Sequence, residues 1–277
     1  MDSPMGTAFA GRHPMNVLAI VPARGGSKGL PGKNLRKLAG RPLLEWSIVA
    51  ATQSARVSTV AVSSDSDEIL AVAAACGGAE LIKRPADLAT DTASTDAVMV
   101  HAVDVMTERD GARPDLVVLL QPTVPVRSPG LVDACIDRLE ATGADSLLTG
   151  YPLHFVWWKE SEGYGYDEGR AGGTGRPSVP AWRSQCPRRP RRQDLTAREV
   201  MFAEDGSVYV TRADVLMATG RRLAGRVELF KTERTPDIDG PEDFVQADAL
   251  LLYRQIMAAP VSWQRQLEAA GGLPDPV

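Results

Sequence analysis

Three cations, Arg24, Lys28 and Lys33, share a short loop with four glycines: Ala23-Arg24-Gly25-Gly26-Ser27-Lys28-Gly29-Leu30-Pro31-Gly32-Lys33-Asn34. Glycine lets a backbone come within hydrogen-bonding distance of a bulky anion, and successive N–H groups in such a loop form an anion-binding nest. Formal positive charges of this kind are what a triphosphate requires. The loop follows Val17-Leu18-Ala19-Ile20-Val21, an apolar run of β-favouring residues, so a strand empties into a cationic glycine loop. The pattern reads as a nucleotide-phosphate cradle, against the plainer alternative of a basic surface turn. Two common cradles are excluded. Lys33 is followed by Asn34, so the loop holds no G-x-x-x-x-G-K-[ST], and it holds no G-x-G-x-x-G either.

A second candidate is Asp237-Ile238-Asp239. In an extended segment residues i and i+2 project to one side, so both carboxylates face one way while Ile238 packs inward. Paired carboxylates repel unless a cation lies between them, and Mg²⁺ takes such a pair together with phosphate oxygens. Helix capping is the alternative, because Pro241 opens a helix whose positive end suits Asp239, Glu242 and Asp243. The segment Arg84 to Thr95 joins a strand to a helix, and its hydroxyls and backbone suit the edge of a base. An ordinary capped loop has the same composition.

The remaining polar clusters are less specific. Arg188, Arg189, Arg191 and Arg192 lack interleaved aromatics and belong to a chain of net charge −4. That favours a clamp on a substrate carboxylate over a nucleic-acid patch. His13, His101 and His154 are isolated, and no Ser-His-Asp or Cys-His set assembles.

The elements that must position these residues alternate. Strands are expected over Val57–Ser63, Ala79–Lys83, Leu116–Leu120 and Ser146–Thr149. Helices are expected over Pro42–Ala55, Ile69–Cys76, Thr95–Arg109 (with Thr95 or Asp96 as cap) and Gly130–Ala141. Such alternation indicates an α/β fold with a doubly wound, mostly parallel sheet, whose ligands sit at the carboxyl ends of the strands. The glycine loop, Ser63 to Asp65 and Gln121 to Arg127 all fall there. From Tyr151 to Gln193 the pattern gives way to Gly, Pro and Arg, as an inserted lobe, a lid, a dimer arm or a stretch without regular structure. Strands resume at Ser207–Thr211 and Arg226–Lys231, and a helix closes the pattern over Pro241–Met257.

At 277 residues the chain can bury a full core. Residues 1–14 read as a loose tail and 15–277 as one domain, with 151–193 as its insertion. No apolar run approaches the ~20 residues that cross a bilayer. The three cysteines, Cys76, Cys135 and Cys186, have neither disulfide nor metal-ligand spacing, which suits a cytoplasmic protein.

With these pieces in order, the chain resembles the CMP-sialic acid synthetase group, the cytidylyltransferases that make CMP-activated nonulosonic acids. The likeness runs from Val17 to about Leu252. It rests on Arg24…Ser27-Lys28-Gly29-Leu30-Pro31…Lys33-Asn34, Arg84-Pro85…Asp91-Thr92-Ala93-Ser94, Leu120-Gln121-Pro122-Thr123…Pro125…Arg127, Arg192-Gln193-Asp194-Leu195, Gly206-Ser207-Val208-Tyr209 and Asp237-Ile238-Asp239. Ser27-Lys28-Gly29-Leu30-Pro31-Gly32-Lys33-Asn34 is worded like this group rather than like its Kdo-activating relatives. Three departures fall outside the nucleotide half: Val124 where serine is usual, His154-Phe155-Val156-Trp157 on the sugar side, and Asp205 where asparagine is common.

The resemblance implies a Rossmann-like nucleotidyltransferase fold with a smaller dimerisation lobe, and a homodimer. It implies that Arg24 and Lys33 grip the triphosphate and act in catalysis, with Ala23, Gly25 and Ser27 in the same cradle. Asn34, Arg84, Ala93 and Thr95 would surround the cytosine. Gln121, Lys159, Arg192 and Tyr209 would face the acidic sugar, and Asp237 with Asp239 would hold Mg²⁺. The implied reaction is attack of the sugar hydroxyl on the α-phosphorus of CTP with release of pyrophosphate. Neither nucleic acid nor membrane is an expected partner. A different acceptor on the same CTP site, such as a phosphonate or Kdo, is an alternative, and a non-catalytic nucleotide-binding module is a third reading.

Overall fold

Val17–Pro22 forms β1, an apolar strand buried on both faces, as a central parallel strand must be. It stops at Pro22, which has no N–H for the ladder, and the chain leaves the sheet toward the glycine loop. The computed structural model describes residues 15–26, 29–153 and 200–258, with the backbone of 158–161 and 181–184. Residues 1–14, Ser27, Arg192, the side chain of Lys159 and everything beyond 258 lie outside the described residues.

After the loop, a small antiparallel ribbon of β2 (Lys37–Leu38) and β3 (Arg41–Pro42) leads into α1 (Leu43–Thr52). Then β4 (Thr59–Ser64), α2 (Asp67–Cys76), β5 (Glu80–Lys83), α3 (Thr95–Asp110), β6 (Leu116–Leu119) and α4 (Leu131–Thr142) alternate as expected. β7 (Ser146–Leu153), β10 (Met201–Arg212), α5 (Ala213–Thr219), β11 (Val227–Lys231) and α6 (Pro241–Met257) follow, with β8 (Trp158–Ser161) and β9 (Ala181–Ser184) between β7 and β10. The sheet runs β11-β7-β10-β6-β1-β4-β5. β1 pairs in parallel with β4 (Val21 opposite Val62) and with β6 (Ala19 opposite Val118), whereas β10 is antiparallel to β6.

Alternation along β1 divides the core. Val17, Ala19 and Val21 pack with Leu44 and Ile48 of α1 and Ile136 and Leu139 of α4. Leu18 and Ile20 face the other way, toward Met99 and Val103 of α3 and Leu216 of α5. The sheet is therefore wound on both faces. A third, smaller core gathers Leu30, Leu38, Leu43, Val126, Ile238, Ala247 and Leu251, and it ties the glycine loop and α6 to the rim of the sheet.

Several boundaries differ from the sequence expectation. The cap of α3 is Ser94, whose Oγ accepts the N–H of Ala97 at 3.1 Å, and not Thr95 or Asp96. α5 and the β2–β3 ribbon were not expected; both are too short to show a periodicity. β10 begins six residues ahead of Ser207, because Met201–Gly206 carries no apolar alternation. By its contacts the chain divides into two units, 1–150 with 204–277, and 151–203. What is described of the second unit includes the antiparallel pair β8–β9, with Trp158 opposite Ser184.

Candidate active site

The carboxyl ends of β1, β5 and β6 open onto a cavity of about 440 Å³. Its walls include Arg24, Gly29, Lys33 and Asn34 from the glycine loop, Arg84, Thr90, Asp91, Ala93 and Thr95 from the segment before α3, Gln121, Pro122 and Thr123 after β6, and Asp239. Residues scattered over more than two hundred positions thus meet around one space. Arg24 and Lys33 of the cradle, the base-side residues Asn34, Arg84, Ala93 and Thr95, and one of the two aspartates are brought together.

Each wall is held by backbone chemistry. The N–H of Ala23 bonds the carbonyl of Ser63 at 3.0 Å, and that of Gly25 donates to Asp65 Oδ1 at 2.9 Å. Ala23 is buried, and neither residue is among those lining the cavity. Asn34, expected beside the base, is buried and donates Nδ2 to the carbonyl of Arg24 at 3.0 Å, which holds the loop folded. Arg84 lines the space, but its Nη2 donates to Ser63 O at 2.6 Å and its Nη1 to Leu88 O at 3.3 Å. Burial lowers the pKa of its guanidinium; Asp65 opposes that shift and Arg24 adds to it. Arg24 itself pairs with Asp91 Oδ1 at 2.8 Å.

The acidic strip is docked from both sides. Ile238 is fully buried, its N–H donates to Thr123 O at 2.8 Å, and its carbonyl accepts Lys33 Nζ at 2.8 Å. Burying an isoleucine is worth about 1.5–3 kcal/mol, enough to pin a segment with carboxylates on either side. Both aspartates are exposed, and the N–H of Asp239 donates to the carbonyl of Asp237 at 3.1 Å, so the strip turns about Ile238 instead of running extended. Asp239 Oδ1 stands 4.0 Å from Lys33 Nζ with its side chain 87% exposed. The cap of α6 falls to Asp243, whose Oδ2 accepts the N–H groups of Gly240 at 2.8 Å and Asp239 at 3.1 Å. Capping is thus supplied by a neighbour, and the Asp239 carboxylate is turned to the cavity. Asp237 is held above the ordinary carboxylate range, first by partial withdrawal from water and then by Asp239 and Asp243, while a hydrogen bond from Thr123 and the charge of Lys33 pull it down.

Tyr209 does not join this set. It is buried among the α3-side core residues, its hydroxyl donates to Glu204, and its ring lies 4.8 Å from the Arg222 guanidinium. The expected open face toward a sugar is therefore corrected: on a strand packed under α3, position 209 points into the core. Gln121 does line the cavity. Thr123 and Asp91 carry no individual signal in the sequence; Thr123 belongs to the Gln121–Arg127 segment expected at the strand ends and Asp91 to the Arg84–Thr95 segment expected to suit a base edge.

Gly29 is where backbone meets backbone. A Cβ there would lie 2.1 Å from the carbonyl oxygen of Asp239. Gly29→Ala is expected to cost about 1–3 kcal/mol through overpacking and to lower turnover by displacing the acidic strip. Thermal unfolding alongside a nucleotide-turnover assay checks both. Unchanged turnover would show that the strip can move without consequence.

A doubly wound sheet with a cationic glycine loop and an acidic strip around one cavity defines a nucleotidyltransferase. The profile of the cytidylyltransferase family matches residues 18–154. The CMP-N,N'-diacetyllegionaminic acid synthase of Legionella pneumophila is 42% identical over 253 residues, which cover 87% of this chain and 98% of that protein. The N-acylneuraminate cytidylyltransferase A of Danio rerio is 31% identical over 87% of this chain, which spans 52% of that longer protein. Among solved structures, a CMP:2-keto-3-deoxy-manno-octonic acid synthetase complexed with CTP superposes with a TM-score of 0.60 at 18% identity, over 86% of this chain and 99% of its own. The 4-diphosphocytidyl-2C-methyl-D-erythritol synthase of Anaerococcus prevotii gives 0.57 at 12% identity, over 86% and 96%. The chain belongs to the CMP-nonulosonic acid synthetase family of cytidylyltransferases.

Proposed function

We propose that this enzyme transfers CMP from CTP to the hydroxyl of a nonulosonic acid, releasing pyrophosphate, with Mg²⁺ held by Asp237 and Asp239. The observation that carries the reading is Lys33 Nζ, bonded to the carbonyl of Ile238 and 4.0 Å from Asp239 in the wall of the cavity. In the transfer a new P–O bond forms between the acceptor oxygen and the α-phosphorus as the bond to pyrophosphate breaks. The work of the protein is positioning and charge compensation. Lys33 and Arg24 would offset negative charge on the phosphates, Arg24 exchanging Asp91 for the nucleotide. Thr95, Ala93 and the wall held by Arg84 would receive the base, and Gln121 would face the acceptor.

The donor set suits a hard divalent ion. Both would-be ligands are oxygen donors two residues apart, withdrawal from water and then the charge of Asp239 lift Asp237, and among the described residues no group of three or more acidic, His or Cys side chains forms a complete cage. Mg²⁺ takes that kind of site, one or two carboxylates completed by phosphate oxygens. When bound it would supply charge neutralisation at the phosphates and acidify a coordinated hydroxyl. A homodimer in a cytoplasmic setting belongs to the same reading, supported by the family. Among the described residues no helix is long and apolar enough to cross a membrane.

The test is pyrophosphate release across the four nucleoside triphosphates and a panel of 2-keto acids and phosphonates. CTP with a nine-carbon acid should give the highest kcat/KM. A preference for Kdo or a phosphonate would move the acceptor and keep the nucleotide half. CTP binding with no release from any acceptor would overturn catalysis.

A further inference from the structure

Arg127 lies outside the cavity and is 8% exposed, yet its three nitrogens are committed to three separate elements. Nε donates to Ser207 O in β10 at 2.8 Å, Nη1 to Ser47 Oγ in α1 at 2.9 Å, and Nη2 to Gln121 O at 2.7 Å. Its own carbonyl accepts Arg254 Nη1 of α6 at 2.8 Å. Burying a cation is costly unless each donor is met. Burial pushes this guanidinium down to about 9, and the nearby charge of Asp205 raises it, so it stays cationic at neutral pH. Asp205 is itself buried, and its carboxylate accepts Thr149 Oγ1 at 2.5 Å and the N–H of Ser207 at 2.8 Å.

The Gln121 carbonyl that Arg127 holds also accepts the N–H of Val124 at 3.2 Å, closing the turn 121–124. Thr123 in that turn receives the Ile238 N–H and donates to Asp237. The path from Arg127 to the acidic strip thus consists of two hydrogen-bonded steps through one tight turn. We infer that Arg127 is a positioning residue, which sets where Asp237 and Asp239 stand over the cavity by fixing the Gln121–Val124 turn without touching substrate. The inference rests on the reading of those carboxylates given above.

Arg127→Lys keeps the charge but replaces a planar fork by one nitrogen, which cannot reach acceptors on three elements. Its kcat is expected to fall roughly 10–10²-fold, the effect of a small misplacement transmitted from a distance, with the Kd for CTP within about threefold. In an Asp239→Asn background Arg127→Lys should add almost nothing, because the positioned group is already gone. Amide exchange at Ile238 should accelerate in the Arg127→Lys protein without ligands present. Ser47→Ala, which removes one acceptor of the clamp, should shift both readouts the same way by a smaller amount and guards against an unfolded Arg127→Lys. Losses that multiply in the double variant, or Ile238 exchange unchanged in both single variants, would overturn the inference. If Asp239→Asn alone were fully active, the carboxylate reading would fall, and Ile238 exchange would still decide whether Arg127 holds the strip.

Discussion

Asp239→Asn is expected to lower kcat by about 10²–10³-fold while the Kd for CTP changes by no more than about threefold. The substitution keeps shape and removes one negative charge from a side chain that is 87% exposed, so folding should be untouched. It also leaves the backbone of the strip docked, since Ile238 holds it through Thr123 and Lys33 and Asp243 caps α6. What goes is one negative charge beside Lys33 and, on the proposed reading, one carboxylate ligand for a divalent ion. Binding of CTP draws on many walls of the cavity, whereas compensation of charge at the reacting phosphate draws on few. The loss should therefore fall on the chemical step. Single-turnover pyrophosphate release with calorimetric titration of CTP separates the two, and a Mg²⁺ titration should show a weakened requirement curve. Full activity would remove Asp239 from the chemistry.

Lys33→Ala should be more damaging, about 10³-fold in kcat/KM, and differently distributed, with the KM for CTP rising as well. The side chain is 17% exposed and does two things at once. It places a positive charge in the wall of the cavity, and it ties the glycine loop to the carbonyl of Ile238 across 205 residues of sequence. Alanine deletes both and leaves a buried carbonyl without its donor, which costs about 1–3 kcal/mol in itself. Lys33→Arg keeps the charge and should recover part of kcat/KM, since a bulkier fork must reach the same carbonyl. Measuring kcat and KM for the alanine and arginine variants distinguishes charge from tether. An unchanged rate in Lys33→Ala would rule out the cradle.

Much of this arrangement was legible in the residues. β1 announced itself as an apolar run of β-favouring residues, and Pro241 with two acids behind it marked the start of α6. The loop between Ala23 and Asn34 reads as a phosphate cradle because glycines and cations have few other reasons to coincide at the end of a buried strand, and its Arg24, Gly29, Lys33 and Asn34 line one cavity. Asp237-Ile238-Asp239 could be read as far as the inward packing of Ile238, which is fully buried, although the strip turns there, with the N–H of Asp239 on the carbonyl of Asp237. Other features resisted for equally physical reasons. α5 spans two turns, less than a hydrophobic period needs to show. The sequence leaves Asp239 between ligand and cap; the structure gives the cap to Asp243.

By itself the sequence determined the alternation of the longer strands and helices, the mostly parallel sheet and the inward packing of Ile238. All of these follow from contacts between near neighbours and from backbone periodicity. The tertiary structure alone decided that Lys33 would meet Ile238, that Arg24 would pair with Asp91, that Tyr209 would turn into the core and that Arg127 would join α1, β10 and the Gln121 turn. Those partners are set by how the layers pack, and no spacing along the chain encodes a distance between two residues that only the fold brings together.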